Sequence, residues 1–289
     1  MALRPEQEIG ERQAVLPEER NGQRLDQALE LLFPHWGRRV RQRLWERGQV
    51  LVNGTPRPKG FRVETGQTIA FRPLPVARPA APCPDRIVVV TATERFAAVY
   101  KPEEVHTAAV ALRAGPSVEG CLQELFPLQD ARLCNRLDRE TSGLVLAAFG
   151  PDSLARYLEL QDQGRVEKSY LAVVQGALTG GTTVSRVIDR TGHKKVRVLE
   201  DAEGDHLRWT RIRSLEVSRA QTRSLVEVVI HKGHRHHIRA HLAHIGHPIL
   251  GDPLYGGPEA ARLFLHHGRI SMPGFAASAA PRWGASWQD

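Results

Sequence analysis

Two kinds of segment are missing from this chain. No apolar run approaches the roughly 20 residues that span a bilayer, and residues 1–22, rich in Glu, Arg and Gln, hold no apolar stretch of a secretory signal. Cysteine is scarce. Cys83, Cys121 and Cys134 are odd in number and none stands in a C-x-x-C pair, which argues against a disulfide framework or a zinc cluster and suits a reducing compartment. Internal repeats and a Gly-rich phosphate loop are absent too. These absences predict a soluble cytoplasmic protein that does not associate with a membrane. What the chain does have is positive charge: 40 Lys+Arg against 32 Asp+Glu, a formal +8 over 289 residues. Such an excess favours a polyanionic partner, nucleic acid first. A merely solubilising charge would give the same total, so placement has to decide.

Residues 1–20 read as a polar, disordered leader. Leu25, Ala28, Leu29 and Leu32 then share one helical face, ended by Pro34. A second helical stretch, Arg38 to Arg47, carries Val40 and Leu44 on one side. Around them stand Arg38, Arg39, Arg41, Arg43 and Arg47 against the single acid Glu46. That imbalance exceeds what a solvated face requires and predicts RNA contact through these five arginines. Val50–Val52, an Asn53-Gly54 turn and the strand Thr68–Phe71 complete a compact module over residues 21–72. Residues 73–84 (Pro-Leu-Pro-Val-Ala-Arg-Pro-Ala-Ala-Pro-Cys-Pro) form neither helix nor central strand and read as an extended linker. Over residues 85–289, strand signals recur at Ile87–Val90, Phe96–Tyr100, Leu144–Phe149, Tyr170–Val174, Thr210–Val217 and Leu225–Ile230, with helices at Pro151–Gln163 and His236–Ile245. The strands do not alternate regularly with helices. The expected class is α+β: a small helix-rich N-terminal domain linked to a larger one with a mixed, largely antiparallel sheet flanked by helices.

The residues most suited to chemistry lie at Leu133–Leu146. Asp138 stands between Arg136 and Arg139, just before a Thr141-Ser142-Gly143 turn and an apolar strand. An acid among cations is either a structural ion pair or a carboxylate kept ionised to attack carbon or take a proton. The turn at a strand start would fix it in place. A histidine-rich segment offers a competing story: His237 and His241 have the i,i+4 spacing that can hold zinc. No Glu follows the first of them and no Cys is near in sequence, so a polar or RNA-facing helix without metal is the stronger reading.

The segment around Asp138 resembles the Arg-Leu-Asp-x-x-Thr-Ser-Gly signature of the RluA-type pseudouridine synthases. Lys101-Pro102, Lys168-Ser169-Tyr170-Leu171-Ala172, His236–Leu242 with Gly246-His247-Pro248 and Gly251–Gly256, and Leu265-His266 resemble further motifs of that family, in the same order, from about Ile87 to Met272. The resemblance implies isomerisation of uridine to pseudouridine in RNA without a metal or organic cofactor. Asp138 would start the reaction, either by attacking the uracil ring or by promoting a glycal at the sugar. Arg239 would pair with Asp138, and Tyr170 would pack on the base and take part in proton transfer. A phenol with a pKa near 10 is a poor base unless its site lowers that value. Arg136 would hold the space left by the flipped uridine, while Leu137, Thr141, Ser142, Gly143, Lys101, Lys168 and His236 would complete the substrate surface.

Residues 21–72 resemble the S4 RNA-binding domain. That pairing is similar to the synthases acting on large-subunit ribosomal RNA. A transfer-RNA substrate and an RNA-binding protein with an inactive synthase domain are the alternatives. A monomer is plausible, but the sequence does not fix the oligomeric state. The chain departs from the family pattern at Asn135 (a His elsewhere), at His234 and His237 (an Arg and a Gln), and at Glu103-Glu104 (a Gly after Lys-Pro).

Overall fold

The computed structural model describes residues 10–42, 44–73, 83–109, 115–189, 191, 195–284 and 287–288. They fall into two compact units, one at the N-terminal end and one from residue 83 onward. Among the described residues, no helix is long and apolar enough to cross a membrane.

The first unit contains β1 (Arg12–Val15), α1 (Leu25–Ala28), α2 (Arg38–Arg41), α3 (Leu44–Arg47), β2 (Gly48–Val52), β3 (Thr55–Pro56) and β4 (Thr68–Pro73). Its strands make an antiparallel sheet in the order β1-β4-β2-β3. Asn53 and Gly54, with φ of 48° and 76°, close the expected hairpin, since a two-residue turn of this kind needs left-handed backbone at both positions. Leu25, Leu29, Phe33, Val50, Ile69 and Phe71 form the core.

Three expectations change here. The unit carries more sheet than a helix-rich module would, and its helices are single turns held by packing rather than by length. The stretch Arg38–Arg47 is two helices, not one. The leader is ordered from Arg12, where β1 pairs with β4 and buries Leu16 behind it. Charged neighbours on its exposed side hid that edge strand in the sequence. Residues 1–9 of the leader and 74–82 of the expected linker lie outside the described residues.

The second unit contains β5 (Val88–Ala92), β6 (Phe96–Lys101), α4 (Val118–Leu125), β7 (Ala131–Leu133), β8 (Ser142–Phe149), α5 (Gly150–Asp162), β9 (Glu167–Gln175), β10 (Gly181–Val184), β11 (Arg186–Asp189), β12 (Arg197–Glu203), β13 (Thr210–Val217), β14 (Arg223–Ile230), α6 (His237–His244), β15 (Leu265–Met272) and β16 (Phe275–Ser278). A large sheet runs β10-β13-β14-β9-β15-β8-β6-β5, with β16 beside β15 and β7 beside β8; β11 and β12 form a separate hairpin.

β8 reads as a continuous apolar run because both its faces are covered. Leu144, Leu146 and Ala148 pack with Tyr157 and Leu160 of α5, and Val145 and Ala147 with Val118 and Leu122 of α4. Helix α4, which the sequence pattern does not announce, is capped by Ser117, whose hydroxyl accepts from the Gly120 amide at 3.0 Å. Helix α6 lays Ile238 and Leu242 against the core residues of β9 and β14.

The sheet is antiparallel except at one join, β15 with β8, where His266 faces Ser142 and His267 faces Gly143. Gly143 has φ 118°, and a Cβ there would meet the His267 carbonyl oxygen at 2.3 Å. No other residue allows the join. On its other edge β15 pairs with β9, placing His267 opposite Tyr170. The start of β8 and the middle of β9 therefore flank a single strand, and the site forms there.

Candidate active site

A cavity of about 690 Å³ opens at the start of β8, lined by Arg136, Leu137, Asp138, Thr141, Lys168, Tyr170, His236 and Arg239 among others. The loop bearing Asp138 is pinned from three sides. Thr107 donates to the Leu137 carbonyl at 2.8 Å and accepts from the Leu137 amide at 3.0 Å. Lys101, fully buried, gives its three ammonium protons to the carbonyls of Pro102, Val105 and Arg139 at 2.8–3.0 Å. Asn135 accepts from the Leu146 amide of β8 at 2.7 Å. The departure at Asn135 thus faces the sheet, where it fixes the entry into β8.

Arg239, on α6, is 6% exposed and hydrogen-bonds two acids, with Glu140 a third at 3.9 Å. Its Nε and Nη2 each donate to Asp252 at 2.7 Å, a bidentate pair with a fully buried carboxylate. Its Nη1 donates to Asp138 at 3.2 Å. Burial opposes the guanidinium charge, but Asp252 and then Asp138 outweigh it and push the Arg239 pKa above its ordinary value. The Arg239 charge also sits over the Tyr255 ring, 5.6 Å from its centre. His236 has φ 55° at the start of α6, and its Nε2 is 3.9 Å from Asp138. Burial lowers its pKa, with Asp138 opposing, so near neutral pH it is an uncharged neighbour.

Tyr170 stacks on His267, with ring centres 4.4 Å apart and 17° between planes. His267 is fully buried, with its Nδ1 against the Leu144 carbonyl. Burial pushes the Tyr170 phenol above its ordinary value, and the negative Asp138 adds to this. Burial thus works against a tyrosine base here, and what the geometry shows of the Tyr170 ring is its packing on His267.

Several expected site residues take other places. Arg139 does not contact Asp138; it pairs with Glu104 at 2.5 Å and donates to the Glu104 carbonyl. Glu104 has φ 62°, the left-handed conformation that the family's glycine would favour. The expected flanking cations are thus replaced by one from 101 residues away, Arg239.

Lys101, Ser142 and Gly143 lie outside the cavity lining and support it from behind. Ser142 accepts from Arg262 at 2.9 Å and donates to His266 Nδ1 at 2.9 Å, leaving His266 Nε2 to donate to the Ala279 carbonyl.

His237 and His241 are turned inward, not toward RNA or solvent. His241 Nε2 donates to the Arg186 carbonyl and its Nδ1 accepts from Thr210; Thr210 accepts from His237 Nε2, whose Nδ1 accepts from the His234 amide. Every bond in this chain is satisfied with both rings neutral. Burial accordingly lowers His241 to about 4 and His237 well below its ordinary value. In the first unit, Arg41 is buried, donating to the Trp36 carbonyl, and Arg38 pairs with buried Asp26 at 3.4 Å. Arg41 is thereby removed from the expected RNA face. The side chains of Arg39, Arg43 and Arg47 lie outside the described residues.

Asp252, His267 and Thr107 had no expected role. For Asp252 the one available signal is its place in the Gly251–Gly256 motif. His267 depends on a contact between strands distant in sequence, and Thr107 on one between two loops.

The family described as RNA pseudouridylate synthase matches residues 95–244, which include Asp138, Tyr170 and Arg239. The chain belongs to this family. It is 31% identical over 253 residues to "Ribosomal large subunit pseudouridine synthase D" of Escherichia coli, covering 84% of this chain and 76% of that protein. A protein of the same name from Xylella fastidiosa is 32% identical over 253 residues, covering 85% and 75%. Among solved structures, human RNA Pseudouridylate Synthase Domain Containing 1 has a TM-score of 0.57 at 21% identity, covering 75% of this chain and 89% of that one. Human RNA Pseudouridylate Synthase Domain Containing 4 gives 0.54 at 18%, covering 69% and 92%. These two likenesses concern the fold.

Proposed function

We propose that this pseudouridine synthase isomerises uridines in large-subunit ribosomal RNA in the cytoplasm, with Asp138 as the catalytic carboxylate. The observation that carries the reading is Arg239 donating to Asp138 at 3.2 Å in a cavity that also holds Tyr170. Three segments far apart in sequence supply these groups. The relatives' names favour ribosomal over transfer RNA.

In this reading the target uridine leaves its stack and enters the cavity, where its ring packs on Tyr170. Arg136, exposed at the rim, holds the vacated space. Arg239 aims Asp138 by engaging Oδ2, and the carboxylate then attacks the ring or promotes glycal formation at the sugar. Leu137, Thr141 and His236 shape the wall. The N-terminal unit acts as an S4-like RNA-binding module that starts at β1 rather than at residue 21, with residues 73–84 as the linker and the catalytic domain from 85 onward. Its RNA contacts come from Arg39, Arg43 and Arg47, with Arg38 shared with Asp26.

Isomerisation replaces the C5 proton by the sugar, so tritium release from [5-³H]uridine-labelled RNA reports the reaction whichever uridine is the target. With a large-subunit ribosomal RNA transcript, Asp138→Asn is expected to abolish release while RNA binding persists. Release by the variant at the wild-type rate would remove Asp138 from the mechanism. Pseudouridine mapping of ribosomal RNA with and without the gene then identifies the position. An unchanged map excludes ribosomal RNA as the substrate.

A further inference from the structure

Two buried lysines stand at the site in contrasting settings. Lys101, behind the cavity, has all three ammonium protons taken by backbone carbonyls. Lys168 is also buried, at 4% exposure, but it lines the cavity. Among the described residues it has neither a carboxylate partner nor an oxygen accepting its protons. The group that acts on its charge is Cys134, and burial holds that thiol neutral, up to about 12. His267, which faces its charge, is neutral too, lowered to about 3, and Tyr170, two residues along β9, is raised by burial.

An unpaired ammonium is costly to bury. One that borders a cleft is a candidate to receive a ligand oxygen. Position suggests which oxygen. Lys168 and Tyr170 are two residues apart on β9, so their side chains rise from the same face about 7 Å apart. That spacing matches a pyrimidine packed on Tyr170 with an exocyclic oxygen directed at Lys168.

We propose that Lys168 donates a hydrogen bond to a carbonyl oxygen of the target uracil and stabilises the negative charge that collects there during isomerisation. The proposal rests on the synthase reading above. As the N1–C1′ bond breaks, its electron pair spreads over the ring and its carbonyl oxygens. The pair then forms the C5–C1′ bond, C5 loses its proton and N1 gains one, so atoms and charge balance. A carboxylate that adds to the ring puts charge on the same oxygens. Lys168 therefore serves either route, as a preorganised donor does at an oxyanion.

The test begins with wild type and Asp138→Asn on the labelled ribosomal transcript. If folded wild type releases no tritium, the synthase reading fails and the lysine proposal falls with it. Given wild-type release, Lys168→Met is compared under single turnover at saturating enzyme. The expected result is a rate lowered roughly 10²- to 10³-fold, with RNA affinity within about twofold of wild type. Partial recovery is expected in Lys168→Arg. A wild-type rate in Lys168→Met overturns the proposal. So does a loss confined to RNA affinity, which would mark a phosphate contact.

A measurement on the unmodified protein covers a variant that fails to fold. The wild-type kcat/KM is expected to fall as pH rises through about 8, where the free Lys168 ammonium loses its proton. Cys134 and His267 titrate far from that window; Lys101, lowered by burial to about 7, titrates just below it, and its limb is unaffected by a change at Lys168. A pH profile that is the same in wild type and Lys168→Arg, with no limb near 8 removed by the substitution, also overturns the proposal.

Discussion

Asp252 holds Arg239 without lining the cavity itself. It occupies two of the guanidinium nitrogens of Arg239, so the third is left pointing at Asp138. Asp252→Ala leaves a buried cation without its main partner. The expected cost is about 3–5 kcal/mol of stability, measured by denaturant unfolding. Asp252→Asn keeps the shape and one acceptor oxygen but sets its NH2 against an Arg239 donor, so it recovers only part of that stability. If Asp252 positions Arg239 for the reaction, the single-turnover rate stays at least about tenfold down even in the amide variant. A rate that returns together with stability would make Asp252 a purely structural residue. Asp138, Tyr170 and Arg239 stood out in the sequence because each sits in a short motif that resembles one of the family's. The bidentate role of Asp252 did not, because it depends on how α6 faces the loop after it.

At the level of elements, the buried histidines connect the sheet to its surroundings. His237 and His241 tie α6 to β13 and β11 through Thr210 and the Arg186 carbonyl. His266 and His267 tie β15 to β8 and to the chain after β16. All four have pKa values lowered by burial. Above the ordinary value of about 6.5 they are neutral in both folded and unfolded chains. Below it the unfolded chain takes up protons that the fold refuses.

Stability is therefore expected to fall as pH drops from about 6.5 to about 4, by about 1.4 kcal/mol per pH unit for each histidine involved. Unfolding titrations across that window should show His241→Gln with a shallower decline than wild type, by one proton. An identical slope would mean that His241 is protonated in the folded state. Helices α5 and α6 and strands β6, β8, β9, β13 and β14 were legible from periodicity. β15 was not: its Leu-His-His-Gly-Arg sequence reads as polar, yet both histidines are buried because neighbouring carbonyls and Ser142 bond them.

Over the whole molecule, net charge pointed to a polyanion without showing which basic residues face it. Arg38 and Arg41 are engaged within the first unit, so replacing them would test its stability rather than its RNA affinity. The informative variant is Arg39→Gln, Arg43→Gln and Arg47→Gln combined. It is expected to weaken RNA binding and flatten the plot of log affinity against log salt by about 0.7–0.9 for each phosphate that is no longer neutralised. The thermal midpoint, measured alongside, separates a lost phosphate contact from a weakened fold. A salt slope equal to wild type would exclude these three arginines as phosphate ligands.

The sequence alone determined the two-part organisation, the α+β class of the larger part, the basic character and the short motifs carrying Asp138, Tyr170 and Arg239. The first three are local patterns of composition, periodicity or spacing, and the motifs stood out by their resemblance to those of the family. Only the tertiary structure decided which cation reaches Asp138, which ring supports Tyr170 and which arginines face inward. The reason is that each of those contacts joins residues 50 or more positions apart or depends on a side chain's direction: Asp138 to Arg239 spans 101 positions, and Tyr170 meets His267 only because β15 lies beside β9. The parallel join that makes this arrangement possible depends on Gly143, which in the sequence looks like no more than part of a turn.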